Sequence, residues 1–372
     1  MAVSAHDTKP LWRSLVRRVR GRRRRIILAG AVVLLALAGT VWAGPLETNA
    51  KAFLLISQLV PQFPVKPLDA LTNAPVHTHI TLASPHGTIV ADLFRPVPRF
   101  GAVQPHSEPA VVLAMGVATD ARAKTLLLSF AQTASRLGYV VMWPRLRALD
   151  RGQLGFESPD TFVRSVQYLR RLRVVAPGRV SIMGLSVGSS LGFVAATDPR
   201  IRSDVRALVF FGGDYDIAEQ LVSLASHTMV LQGKIVPWSP DPQATLYARK
   251  MLRAMHVPGL AHVLAARTRA QAEALLRAAP PPELAEIRAD SPSHHLTAFK
   301  TPIFILDDRG DAFVPYVQSL RMERVLPPKL VRAFLISNLF QHTHPRSIVS
   351  LAGIKEATNL YGFLRAALGF TG

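Results

Sequence analysis

Three features of the chain predict an α/β protein with a mainly parallel, doubly wound sheet. From about residue 110 onward, apolar runs of strand length alternate with amphipathic runs of helix length. The strand-like runs are continuously apolar, as strands covered on both faces must be. A serine stands midway between two glycines in GLSVG, residues 184–188, directly after one such run and before a stretch of small residues. The length, 372 residues of which 49% are hydrophobic, suffices for one large domain with an insertion.

Residues 1–25 form a basic arm in which Lys9, Arg13, Arg17, Arg18, Arg20, Arg22, Arg23, Arg24 and Arg25 face Asp7 alone. The uncharged stretch 26–43, beginning at Ile26 and ending at Ala43, follows at once; as a helix it is about 27 Å long, near the thickness of a bilayer's hydrocarbon core. The expectation is a single transmembrane anchor over 26–44, with the arm cytoplasmic and everything after Gly44 outside the plasma membrane. The alternative is a signal peptide, with Val41 and Ala43 before a cleavage site at Gly44, which makes the protein secreted. Both readings explain the arginines as a topology signal, so no nucleic-acid partner is expected despite the net charge of +20. The absence of cysteine excludes disulfides, thiolate metal sites and cysteine nucleophiles.

Residues 45–75 carry a short apolar piece, KAFLLISQLV, among prolines and read as a connector. From Val76, VHTHITLASPHGTIVADLFRPV alternates apolar and polar residues about a Pro-His-Gly turn, the pattern of a β-hairpin. AVVLAMG is then a strand, ARAKTLLLSFAQTASRL a helix stopped by Gly138, and YVVMWP the next strand, which makes a βαβ unit. Ser158 and Pro159 open a helix over DTFVRSVQYLRRLRVV, with Phe162, Val166, Leu169 and Leu172 on one face. A short strand over 179–183 leads into the serine, and VRALVFFGG supplies another buried strand.

Between about 217 and 300 the rhythm breaks into a predominantly helical, arginine-rich and proline-punctuated stretch that reads as an inserted cap. The sheet resumes with TPIFILDD (301–308) and LVRAFLIS (330–337), before a closing amphipathic helix from about 346 to 368.

A glycine-flanked serine between strand and helix is the form of a nucleophile elbow, in which Gly184 and Gly188 clear space around the tight turn. With DDRGDAFVP after the next-to-last strand and LFQHTHP after the last, residues 76–372 resemble the α/β-hydrolase family, whose serine, acid and histidine follow in that order. The resemblance implies an α/β-hydrolase fold with a helical cap and a catalytic triad of Ser186, Asp311 and His342. Asp311 is preferred because Val314-Pro315 follows it as in the family; Asp307, Asp308, Asp214 and Asp216 are alternatives, and His344 is the alternative to His342.

The chemistry needs each type. A serine hydroxyl attacks an acyl carbon only if an imidazole takes its proton, and a buried carboxylate orients the imidazole and stabilises its charge. The backbone N–H groups of Val187 and Val117 are the implied oxyanion donors. Two departures from the family pattern are Met115, where a histidine usually precedes Gly116, and Asp308, where glycine is frequent.

The function expected on this basis is a membrane-anchored serine hydrolase cleaving ester bonds, carboxylesterase- or lipase-like, through an acyl-enzyme on Ser186 and acting on a small-molecule or lipid ester. The alternatives are a non-catalytic binding protein on the same fold and a peptidase or thioesterase on the same triad. No cofactor or metal is implied. His77, His79, His86, His294 and His295 read as structural, the HxH spacing of the first two being weak metal evidence by itself.

Overall fold

The computed structural model describes residues 46–59, 66–85, 87–99, 101, 103–114, 116, 121–145, 158–341, 344–345 and 351–372. Helices α1 (Leu46–Leu59) and α2 (Pro67–Leu71) precede the hairpin β1 (Val76–Ser84) and β2 (Gly87–Arg95). The alternation follows as β3 (Glu108–Ala114), α3 (Ala121–Arg136), β4 (Val140–Arg145), α4 (Ser158–Leu169), β5 (Val175–Leu185), α5 (Val187–Ala195) and β6 (Val205–Phe211). A long segment then holds α6 (Ile217–Ser226), a small hairpin of β7 (Thr228–Leu231) and β8 (Lys234–Pro237), α7 (Pro242–Ala254), α8 (Pro258–Val263), α9 (Arg269–Arg277) and α10 (Pro281–Ala289). The chain closes with β9 (Ile303–Asp308), α11 (Val317–Val325), β10 (Val331–Ser337), the two-residue strands β11 (Phe340–Gln341) and β12 (His344–Pro345), and α12 (Leu351–Thr371).

Eight strands form one sheet in the order β1-β2-β4-β3-β5-β6-β9-β10, parallel from β4 to β10 with the antiparallel hairpin at one edge. Strand order reverses at β3, whose successors in sequence lie on opposite sides of it, so a crevice opens at the carboxyl ends of the strands beside it.

The apolar runs follow from two-sided burial. In β3, Val112 and Ala114 join one core with Phe162, Val166, Leu191 and Phe193 from α4 and α5. Val111 and Leu113 join the other with Leu127, Ala131 and Leu137 on the α3 side. Further along, Ala207, Phe304 and Leu306 pack on Leu360, Phe363 and Ala367 of α12. The connector is more ordered than its composition predicts: α1 lies on α12, with Ala52, Ile56 and Tyr361 in one cluster and the Tyr361 hydroxyl donating to Asn49 at 3.1 Å.

One expectation needs correction. The helix opening at Ser158 stops at Leu169 rather than running to 175, because β5 is eleven residues long and claims Val175 as its first. The segment between β6 and β9 is mostly helix, with the small hairpin of β7 and β8 paired within it. Among the described residues no helix is long and apolar enough to cross a membrane; the proposed anchor at 26–43 lies outside them.

Candidate active site

Ser186 occupies the single residue between the end of β5 and the start of α5. To turn from strand to helix there, its backbone adopts φ 54° and ψ −138°, a conformation that costs a non-glycine residue about 1–3 kcal/mol. Local hydrogen bonds hold it in place. The Ser186 amide donates to the Phe211 carbonyl at 2.8 Å, and the Ser189 amide donates to the Ser186 carbonyl at 2.7 Å. Ser189 supports the same corner from behind, its hydroxyl donating to the Phe211 carbonyl and accepting from the Phe211 amide, each at 3.0 Å.

The turn has no room for a side chain at Gly184, where a β-carbon would stand 2.3 Å from Cα of Ser189. Gly213, at the end of the neighbouring strand, is confined in the same way, 2.9 Å from the Ser186 carbonyl oxygen. Gly116, after β3, completes the wall: its β-carbon would lie 2.7 Å from Cβ of Ser186 and 3.2 Å from Oγ. The Ser186 side chain is half-buried and sits at the N-terminus of α5, whose first amide is that of buried Val187. Such an end presents unpaired N–H groups and a partial positive charge, which suits a developing anion beside Ser186. Val117, the other expected donor, lies outside the described residues, while Gly116 before it is in place.

The register carries the site across the sheet. Leu185 pairs with Phe211 and Phe211 with Leu306, so Ser186 and the acidic turn after β9 emerge at one level with a single strand between them, about 10 Å of sheet width. That turn buries three carboxylates, Asp307, Asp308 and Asp311. Asp307 is tied inward: Ser319 donates to its Oδ2 at 2.6 Å and the Asp308 amide to its Oδ1 at 2.7 Å. Burial, and then the nearby Asp311 charge, push its carboxyl well above the usual range. Asp308 accepts from the Gly310 amide at 2.8 Å and so closes the turn. Asp311 accepts at Oδ1 from the amides of Phe313 and Val314 at 2.7 and 3.0 Å, and its carbonyl takes the indole N–H of Trp238 at 3.0 Å.

The other candidates separate on their contacts. Asp216 caps α6, accepting from Ala218 and Glu219, with Ser293 on its second oxygen; it is committed to structure. Asp214 is buried behind the elbow, where its carbonyl accepts from the Ser190 hydroxyl at 2.8 Å. Beyond β10 the chain folds back through the pairing of Gln341 with His344. His342 lies outside the described residues, as does the side chain of His344.

Sequence reasoning missed Trp238, Ser189 and Gly213. Only Gly213 carried a sequence signal, the paired glycines that end the β6 run. A cleft of about 700 Å³ is lined wholly by 249–265, including Arg249, Arg253, His256 and His262, and does not include Ser186.

No protein-family model and no curated protein matches the sequence. Solved structures do share the fold. A puromycin-hydrolyzing peptidase of Mycobacterium tuberculosis aligns over 80% of this chain and 39% of its own, with 19% identity and a TM-score of 0.51. Porphyromonas gingivalis dipeptidyl peptidase 4 aligns over 80% and 36%, with 12% identity and a TM-score of 0.50. A puromycin hydrolase aligns over 80% and 39%, with 14% identity and a TM-score of 0.50. This chain thus has the α/β-hydrolase fold, and it spans about two fifths of the length of these structures.

Proposed function

We propose that this protein is a serine hydrolase that cleaves acyl bonds through an acyl-enzyme on Ser186, with peptide-like amides as the leading substrate class. The observation that carries the reading is the Ser186 backbone, strained at φ 54° between β5 and α5 with Gly116 against its side chain. A serine with only a structural task has no need of that conformation.

In the proposed reaction His342 takes the hydroxyl proton as Ser186 Oγ attacks the acyl carbon, and Asp311 holds the imidazole and balances its charge. The oxyanion falls to the amides of Val187 and Val117 at the head of the α5 dipole. The proton passes to the leaving amine, and a water molecule, deprotonated by the same imidazole, releases the acyl group and regenerates the hydroxyl. The amide preference over esters draws its support from the fold neighbours, which include a puromycin-hydrolyzing peptidase and a dipeptidyl peptidase. Ester hydrolysis is the second reading, favoured by the unspecialised nature of the serine, imidazole and carboxylate set itself. The uncharged stretch at 26–43 supports a membrane-anchored enzyme acting outside the cytoplasm.

The test is turnover of aminoacyl p-nitroanilides beside p-nitrophenyl esters by the full chain and by Ser186→Ala. Anilide hydrolysis that disappears in the variant is the expected result. Turnover of esters alone moves the protein to the second reading, and silence on both favours a binding protein.

A further inference from the structure

We propose that His77, His79 and Asp92 form a site for a borderline divalent transition-metal ion, zinc in particular, on the hairpin edge of the sheet. In β1 the two histidines are two residues apart and therefore project from the same face. The hairpin register sets His79 directly opposite Asp92 and His77 opposite Phe94. The Asp92 side chain is 1% exposed; its Oδ1 is hydrogen-bonded to His77 Nε2 at 2.8 Å, and His79 Nδ1 lies at the same distance from it. The donor atoms of the three residues all lie within 4.8 Å of one another.

Two imidazoles and one carboxylate oxygen are the donor set that zinc and its neighbours prefer over calcium or magnesium. Ligand bonds of about 2.0–2.1 Å place tetrahedral donors about 3.4 Å apart, so coordination asks each N–O pair to open by about 0.6 Å and the two nitrogens, now within 4.8 Å, to meet that same spacing. Each ring then gives the nitrogen that now faces Asp92 to the metal and carries its proton on the other.

The surroundings already orient these ligands. The His77 ring stacks on Phe94, with centroids 4.3 Å apart and planes 13° apart. Arg145 donates to Asp92 Oδ2, leaving Oδ1 for the histidines, and its guanidinium is itself held 3.7 Å over the Trp143 ring. An outer partner on the second carboxylate oxygen is the usual way a ligating carboxylate is fixed, here at the cost of a nearby positive charge that lowers affinity. His79 is 75% exposed, so the remaining coordination positions face water. Four strand spacings, about 19 Å, separate β1 from β5, which makes this a site apart from Ser186, and one that clamps the edge strand to its neighbour.

The experiment is a titration of the untagged, metal-stripped full chain with Co²⁺, followed by visible absorption and competed with Zn²⁺. One equivalent of Co²⁺ should produce a saturable absorption band that Zn²⁺ abolishes. His77→Ala and His79→Ala should each weaken binding at least tenfold, while His106→Ala leaves it unchanged. Zn²⁺ should also raise the thermal midpoint of the wild type and not of His79→Ala, an exposed substitution that spares the core. No saturable band, or a band indifferent to His79→Ala, overturns the proposal and leaves a hydrogen-bonded cluster only.

Discussion

A β-carbon on Gly116 would lie 2.7 Å from the β-carbon of Ser186, closer than two such atoms can approach. The end of β3 and the elbow after β5 are therefore fitted to each other through a missing side chain. Gly116→Ala should force the loop that carries Val117 away from the serine. The expected outcome is a fall in kcat/KM of about 10²-fold, the scale of one lost oxyanion donor, with the fold retained. Steady-state kinetics beside a thermal melt checks it.

Gly184→Ala meets backbone instead, with Cα of Ser189 at 2.3 Å, so the helix start itself must shift. The expected loss is about 2–4 kcal/mol of stability together with activity. Gly178 is a useful contrast: its φ is +68° but nothing stands within 4 Å, so alanine there should cost only about 1 kcal/mol, and activity should persist. Denaturant unfolding of both variants separates collision from strain.

Asp307 titrates in the unusual direction, because burial and the charge of Asp311 both oppose its ionisation. Its folded pKa is above its unfolded value, so the native state binds the extra proton. Its contribution is fully present below the unfolded value and is lost as pH rises towards the folded one. Asp307→Asn, which keeps the shape and removes the charge, should therefore gain stability relative to wild type as pH rises from about 4. Thermal midpoints of both proteins across pH 4–9 would show parallel curves if Asp307 were instead an ordinary carboxylate.

Trp238 reaches the acidic turn from the segment between β6 and β9, donating its indole N–H to the Asp311 carbonyl. Trp238→Phe leaves that buried carbonyl short of a donor and should cost about 1–2 kcal/mol. If the contact also positions Asp311, kcat falls with KM little changed. A rise in KM with kcat unchanged would instead assign Trp238 to substrate binding.

The parts of this molecule legible in the sequence are those governed by local rules. Continuous apolar runs gave the parallel strands because residues such as Val111 and Val112 are buried on opposite faces. GLSVG gave the elbow because the turn leaves no room for a side chain at Gly184. The long-range contacts were not legible. Nothing near Trp238 marks it as a partner of Asp311, 73 residues away. The packing of α1 on α12 depends on residues such as Asn49 and Tyr361, which lie 312 positions apart. Asp92 is an intermediate case. The hairpin pairs Ser84 with Gly87, and that register places Asp92 across from His79. Spacing along one strand conceals the pairing.

The central claim, that Ser186 is an activated nucleophile, is tested most directly by a fluorophosphonate probe and peptide mapping on wild type, Ser186→Ala and Asp311→Asn. The expected result is one phosphonyl adduct, located on Ser186, absent from Ser186→Ala and formed at least tenfold more slowly by Asp311→Asn. A folded wild-type protein that takes no adduct at Ser186, under conditions that label a control serine hydrolase, would contradict it.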